Sequence, residues 1–266
     1  MSVDVVLEQE QFMRDESLRL KVRITNRSGQ TLHLGKEKDW LSFQVERRDG
    51  VAVSQLGDVP VTGEFSLESS QVASRLVDLM PYYDLSHAGR YRVTAHVKIK
   101  DWDKEIASAP KEFDIVRGAK IWEQEFGVPV ASGPPEVRKY ALYQANNLKQ
   151  LILYLRLTDP PDRTVFRVLS LGRLVSFSRP EAQVDMASRL HVLFQTGARS
   201  FSYFVINPEG SVLNEQTYDY GETRPVLRLG ENGKIFVAGG LRRVKPAELI
   251  EAPAPGLTNE IKTPKP

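Results

Sequence analysis

The chain has 266 residues, of which 41% are apolar and 26% are charged, and its formal net charge is +2. Because the charges nearly balance, there is no strong field to gather nucleic acid or an anionic membrane surface, and a nucleic-acid partner is disfavoured. The chain contains no cysteine, which excludes disulfides, cysteine nucleophiles and thiolate metal sites. Its length suits two domains of ordinary size.

The first 118 residues carry the pattern of a β-sandwich. Apolar residues alternate with polar ones from Leu18 to Ile24 and again from Leu41 to Val45, as in strands with one buried face. The pair Asp49-Gly50 is a strong hairpin signal. About seven short strands, separated by turn signals and with almost no helical periodicity, predict an all-β Greek-key sandwich.

A corner followed by a strand occupies residues 84–99, DLSHAGRYRVTAHVKI. Tyr91 stands at the start of the strand, as in the tyrosine corner of immunoglobulin-like sandwiches, and is expected to pin the preceding loop. The segment resembles the penultimate strand of a bacterial immunoglobulin-like domain. The order NRSGQTLHL, WLSFQVERRDG, YDLSHAGRYRV is also similar to that of the small immunoglobulin-like domains grouped with bacterial intracellular proteinase inhibitors. The resemblance covers residues 1–118 and implies an immunoglobulin-like β-sandwich, but it carries over no inhibitory residue.

The rest of the chain divides by composition into three parts. Residues 119–137 predict a connecting strand and a linker rich in Pro and Gly. Residues 138–244 again show strand-like patterns and predict a second all-β domain. Residues 245–266 contain five prolines and little periodicity, which is typical of a disordered tail.

The second predicted domain contains an internal repeat. The aligned segments are LILYLRL (151–157) with LHVLFQT (190–196), and VFRVLSLGRLV (165–175) with SYFVINPEGSVL (202–213). A partial third unit begins at Val226. The units resemble propeller blades, but about three units are too few to close a propeller, which needs ~4 to 8 blades. We expect the units to pack as a second sandwich or small stack; the alternative is an open edge that another chain covers.

The sequence contains no motif that indicates catalysis or a bound cofactor. It lacks a nucleophile elbow, a phosphate-binding glycine loop and a dinucleotide-binding glycine motif, and its histidines do not stand at metal-ligand spacing. His191 has apolar neighbours and is expected to be a partly buried structural residue. We therefore predict no catalytic residue, no cofactor and no metal ion, and a protein that is not an enzyme.

Aromatic residues are the remaining candidates for a binding surface. Trp102 lies at the tip of the hairpin DWDKE, and Tyr218 and Tyr220 share one face of a strand because they are two residues apart. Exposed aromatics at the rim of a sandwich can stack on sugars or anchor a protein partner. These three residues are the predicted contacts for a protein or glycan partner, and open sheet edges provide a route to oligomers.

The leading functional hypothesis is a non-catalytic binding or assembly protein of a bacterium. A second hypothesis is a carbohydrate-active or peptidase-associated protein. It requires two carboxylates of the second domain to converge ~5 to 9.5 Å apart in one cleft, drawn from Glu181, Asp185, Glu209, Glu215, Asp219 and Glu222. A third hypothesis, proteinase inhibition by an exposed loop, depends only on the resemblance of the first domain.

The amino terminus indicates two possible locations for the protein. MSVDVVLEQEQF enters a strand-like pattern at once, without the basic and apolar regions of a signal peptide. No later segment is long and apolar enough to span a bilayer. Because the inferred fold is commoner outside the bacterial cytoplasm, we expect a periplasmic or extracellular protein whose signal peptide precedes this sequence. The alternative is a cytoplasmic protein.

Overall fold

The computed structural model describes residues 1–128, 134–147 and 150–244. Strands and two short 3₁₀ turns are its regular elements, and the described residues form no α-helix. The all-β prediction is therefore confirmed, and the sheets of the described residues close into neither a barrel nor a propeller. No helix in this part of the chain is long and apolar enough to cross a membrane.

The first domain is a sandwich of two main sheets. Its strands are β1 (Ser2–Leu7), β2 (Gln11–Met13), β3 (Arg19–Thr25), β4 (Leu32–Leu34), β5 (Leu41–Arg47), β6 (Phe65–Leu67), β7 (Val72–Asp78), β8 (Gly89–Ile99), β9 (Lys104–Ala107) and β10 (Lys111–Val116). One sheet has the order β1-β3-β7 and the other β2-β10-β8-β5, with β9 paired to β8 and a separate β4-β6 pair. β2 and β10 are parallel, and strands adjacent in sequence, such as β2 and β3, lie in different sheets. The chain thus crosses between the sheets, as the predicted Greek-key order requires.

The core of the first domain consists of the residues whose alternation predicted the strands. Leu20, Val22 and Ile24 of β3 are fully buried, and so are Val93 and Val97 of β8. The polar residues that alternate with them are exposed on β3 and half-buried between Val93 and Val97 on β8, because successive side chains of a strand point to opposite faces. One face of each strand therefore fills the space between the sheets.

Tyr91 pins the corner before β8, as predicted. Its side chain is 2% exposed, and its hydroxyl donates a hydrogen bond of 2.6 Å to the carbonyl oxygen of His87. The ring stacks on Phe113 of β10 with centroids 5.6 Å apart. Burial raises the pKa of the Tyr91 phenol, so the hydroxyl remains a donor at neutral pH. The corner is thereby tied to the sheet that contains β8 and β10.

The second domain is a stack of two sheets and a hairpin. Its strands are β11 (Ala119–Val128), β12 (Glu136–Asn147), β13 (Gln150–Thr158), β14 (Val165–Leu174), β15 (Glu181–Val184), β16 (Leu190–Gln195), β17 (Ser200–Ile206), β18 (Val212–Asp219), β19 (Val226–Leu229), β20 (Ile235–Ala238) and β21 (Leu241–Arg243). The sheet β11-β12-β13-β14 packs on one face of the sheet β15-β16-β17-β18-β21. The hairpin of β19 and β20 packs on the opposite face of that second sheet. β16 is consequently buried along its whole length, and the prediction of a second all-β domain that is not a closed propeller is confirmed.

The repeat units of the sequence do not coincide with these sheets. The alignment pairs β13 with β16 and β14 with β17, but β13 is the third strand of its sheet and β16 is the second of its own. The offset arises because β11, predicted as a connecting strand, pairs with β12 along its length. The partial third unit is the β19-β20 hairpin. Residues 129–133 of the predicted linker and the predicted tail, residues 245–266, lie outside the described residues.

The two domains are docked through a buried contact. Met13 of β2 packs against Tyr154 and Val168 of the second domain, and each of these side chains is at most 5% exposed. At the edge of the contact, the guanidinium of Arg156 lies 2.8 Å from the carboxylate of Asp15. The first domain therefore covers part of the outer face of the sheet β11-β12-β13-β14.

Candidate ligand-binding site

A β-bulge near the start of β11 directs two consecutive side chains into one pocket. Lys120 is opposite Tyr143 and Trp122 is opposite Leu142, so Ile121 is an extra residue without a partner. In a regular strand Ile121 and Trp122 would point to opposite faces, but a bulge re-aims the side chains next to it. Both residues line the same pocket. Trp122 is only partly buried, and it also packs against the core of the second domain.

The turn between β14 and β15 presents Phe177 to solvent. The amide of Ser178 donates to the carbonyl oxygen of Val175 at 3.0 Å, and the amide of Val175 donates to the carbonyl oxygen of Gln195 at 2.9 Å. Ser178 is buried, and its hydroxyl accepts a hydrogen bond of 3.4 Å from the guanidinium of Arg224. Phe177, at the tip of this turn, is 81% exposed. The backbone is therefore fixed at both ends of the turn, whereas the phenyl ring lies in water.

These two features line one pocket of about 470 Å³, which Gln144, Ser176, Arg179 and Pro180 complete. This volume lies within the ~300 to 1,000 Å³ of small-molecule sites. The lining contains an indole, a phenyl ring, a side-chain amide and a serine hydroxyl, together with the exposed guanidinium of Arg179. None of the described lining residues is acidic. The pocket can therefore offer an apolar surface, neutral hydrogen-bonding groups and one positive charge to a ligand.

The structure places the three sequence-predicted contact residues outside this pocket. Trp102 is partly buried against the core of the first domain. Tyr218 lies edge-on to Tyr203 with centroids 6.3 Å apart, and it packs beneath the β19-β20 hairpin. Tyr220 is 41% exposed, with the guanidinium of Arg199 5.6 Å from its ring centroid. Trp102 thus lies in a different domain from the two tyrosines, and only Tyr220 presents much of its ring to solvent.

The carboxylates proposed for a hydrolytic site have internal partners or lie at exposed positions. The carboxylate of Asp185 lies 2.8 Å from the guanidinium of Arg189, and that of Asp219 lies 2.6 Å from Arg243. Glu181 accepts a hydrogen bond of 2.8 Å from the amide of Leu227. The remaining three are exposed at strand or turn positions, namely Glu209, Glu215 and Glu222. None of the six carboxylates lines the pocket of Trp122 and Phe177.

His191 belongs to a buried polar network. Its Nδ1 lies 2.7 Å from the hydroxyl of Tyr203 and its Nε2 lies 3.2 Å from Asp185. Burial lowers the pKa of His191 and raises the pKa of Tyr203 to about 12. Burial acts to raise the pKa of Asp185, but hydrogen bonds from Arg189 and His191 prevail, and its pKa is lowered. A neutral imidazole between a carboxylate and a phenol satisfies all three groups, so the network is structural, in agreement with the prediction for His191.

Two other cavities have linings that are largely engaged in internal contacts. A cleft of about 540 Å³ beside the corner is lined by Arg47 and Arg90, which form ion pairs of 3.0 Å with Asp49 and Asp114. A groove of about 460 Å³ between the domains is lined by residues of the docking contact, including Asp15. The pocket of Trp122 and Phe177 differs because its aromatic and cationic groups are free to meet a ligand.

Comparison with known proteins assigns no family: no family model matches the sequence, and no curated protein is similar to it. The resemblance of the first domain to immunoglobulin-like sandwiches therefore stays a prediction at the level of family, although the strand order is observed.

Proposed function

We propose that this chain is a non-catalytic binding protein that holds a ring-shaped group of its ligand against Trp122 and Phe177. The observation that carries the proposal is the 81% exposure of Phe177 on a turn whose backbone is fixed by hydrogen bonds. Burying a phenyl ring yields ~1.5 to 3 kcal/mol relative to leaving it in water. The folded protein forgoes most of this stabilisation, which becomes available when a ligand covers the ring.

The rigidity of the pocket supports a binding role. Ordering a mobile loop or side chain costs free energy on association, and a preformed site avoids much of that cost. The turn that carries Phe177 is held by Val175 and Ser178, and Trp122 is held by the core of the second domain. The lining pairs no nucleophile with a general base among the described residues, which favours binding over a reaction.

The assignment to an exported bacterial protein belongs to the same proposal. It is supported by the immunoglobulin-like pattern of the first domain, because such sandwiches are commoner outside the bacterial cytoplasm. The docked first domain would then act as a rigid support that positions the second domain and its pocket. A binding protein of this kind needs no cofactor.

An array of oligosaccharides and peptides probed with the full chain tests the proposal. Ligands found on the array are titrated against the wild type, Phe177→Ala and the control Tyr220→Ala. We expect Phe177→Ala to weaken binding by about 10- to 100-fold, which corresponds to the burial of one phenyl ring, and Tyr220→Ala to leave the affinity unchanged. Because Phe177 is 81% exposed, its replacement should alter stability by less than about 0.5 kcal/mol.

The control variant also defines the contradicting result. A ligand that is lost with Tyr220→Ala and retained with Phe177→Ala would place the binding surface at the sequence-predicted tyrosines. In that case the pocket of Trp122 and Phe177 is not the binding site, and the proposal is wrong.

A further inference from the structure

We infer that the ligand of this pocket is an acidic sugar, in which a carboxylate is attached to a pyranose ring as in the uronic acid residues of anionic polysaccharides. This inference rests on the proposed function, and it adds the chemical class of the ligand. Three properties of the lining carry it: a cation that forms no ion pair with a described residue, aromatic surfaces, and neutral groups that both donate and accept hydrogen bonds.

Arg179 is the charged group of the pocket, and no described residue serves as its counterion. Some arginines of the second domain form ion pairs, such as Arg138 with Glu136 and Arg189 with Asp185, whereas others, such as Arg173, form none with a described residue. Arg179 forms no ion pair or hydrogen bond with another described residue, and it lies at the pocket without an acidic neighbour in the lining. A guanidinium binds a carboxylate through two parallel hydrogen bonds, which gives both attraction and orientation. An anionic ligand is therefore favoured over a neutral or cationic one.

The aromatic surfaces of Trp122 and Phe177 suit a sugar ring, whose C–H groups form an apolar face. The ring edge carries hydroxyl groups, which need both donors and acceptors. The side-chain amide of Gln144 and the hydroxyl of Ser176 supply both kinds of group and make no hydrogen bond to another described side chain. A purely apolar ligand would leave these groups desolvated without partners, at a cost in free energy.

The position of the pocket favours a saccharide chain over an acidic peptide. β11 is an edge strand, so the pocket borders a side of the sheet that no other described strand covers. A peptide could add there as a further strand only if the edge offered regularly spaced backbone groups. The bulge at Ile121 interrupts that spacing. A saccharide chain makes no such demand, and it can continue past the pocket along the open edge.

Matched oligosaccharides test the inference with the full chain. The probes are trigalacturonic acid and its methyl ester, which keep the same rings and differ in the charge of the carboxyl groups, together with uronic acid oligosaccharides from alginate and hyaluronan. Binding is measured by calorimetry and by tryptophan fluorescence, to which Trp122 contributes as one of the three tryptophans of the chain. We expect at least one acidic probe to bind, about 10-fold or more tightly than its methyl ester, and to weaken as salt increases.

Two variants separate this inference from the proposed function. Arg179→Gln should remove the preference for the acid while leaving weak binding of both forms, whereas the control Arg173→Gln, an exposed arginine of β14 outside the pocket, should change nothing. Phe177→Ala should weaken the binding of acid and ester equally.

Three results would overturn the inference: equal binding of acid and ester, an acid preference that persists in Arg179→Gln, or no binding of any acidic probe. The proposed function survives each of them if Phe177→Ala still weakens the binding of another ligand. If Phe177→Ala has no effect on any ligand, both the inference and the proposed function fail.

Discussion

Replacement of Met13 by alanine tests whether the two domains are docked as a rigid unit. The Met13 side chain is 3% exposed, and it packs against Tyr154 and Val168 across the domain boundary. Removing a buried methionine side chain from a site that cannot collapse costs about 2 to 5 kcal/mol. The same replacement costs at most about 0.5 kcal/mol where the side chain is in water. Met13→Ala is therefore expected to lower the free energy of unfolding by about 2 to 5 kcal/mol.

A second methionine provides the matched control, because Met186 is 88% exposed at the turn after β15. Met186→Ala should leave the free energy of unfolding unchanged within about 0.5 kcal/mol. Both variants are measured by urea unfolding of the full chain, followed by circular dichroism and tryptophan fluorescence. If Met13→Ala is no more destabilising than Met186→Ala, the side chain of Met13 is hydrated in solution. The domains would then not be docked as the structure shows.

Two further predictions concern the corner and the buried network. Tyr91→Phe removes the hydrogen bond to the carbonyl of His87 and should cost about 0.5 to 1.5 kcal/mol in urea unfolding; no measurable change would mean that the phenol does not pin the corner. The pKa of His191 is lowered in the folded protein by burial, so the unfolded chain binds the proton more readily. With respect to this proton, the free energy of unfolding is highest above the pKa of an unfolded histidine, about 6.5. It falls as the pH drops towards the pKa of His191 in the folded protein. Urea midpoints measured from about pH 7.5 to 5 should therefore decrease less in His191→Gln than in the wild type, and equal slopes would contradict this account.

The strands of the first domain could be predicted because local sequence determines which face of each strand is buried. In β3 and β8 the apolar residues recur every second position, and a shift of one residue would move all of them into water. Val22 and Val93 are accordingly fully buried. Tyr91 could be predicted as well, because its hydrogen-bond partner lies only a few residues away in the sequence.

The second domain could be predicted only in part, since the partners of its strands are decided by distant residues. The internal repeat indicated short antiparallel units that do not close a propeller. It did not indicate that β11 joins the sheet of β12, β13 and β14. Because of this added strand, the strands of that sheet are displaced by one position relative to the repeat units. A strand at the edge of a sheet gains hydrogen bonds from one neighbour, and no local pattern in β11 identifies β12 as that neighbour.

Local sequence does not determine which aromatic side chains are exposed to solvent. Trp102 was predicted to be a contact because it stands at a hairpin tip, and Tyr218 because it shares a strand face with Tyr220, yet both cover the edges of cores. Phe177 lies between Ser176 and Ser178, and this local sequence is equally compatible with the buried end of a strand. Its exposure depends on hydrogen bonds from Val175 to Gln195 and from Ser178 to Val175, and the first of these joins residues twenty positions apart.

A broken alternation was the one local signal that pointed to the pocket. In the segment AKIWEQEF, Ile121 and Trp122 are adjacent apolar residues, whereas a half-buried strand would separate them by a polar one. Two adjacent apolar residues in an otherwise polar edge strand favour a bulge, because only a bulge lets both side chains reach the same side. The same bulge interrupts the regular spacing of backbone hydrogen-bonding groups at the edge, which disfavours pairing with another strand. One irregularity thus places Ile121 and Trp122 in the pocket and discourages the addition of a peptide strand, which is why the pocket is better suited to a compact ring than to an extended peptide.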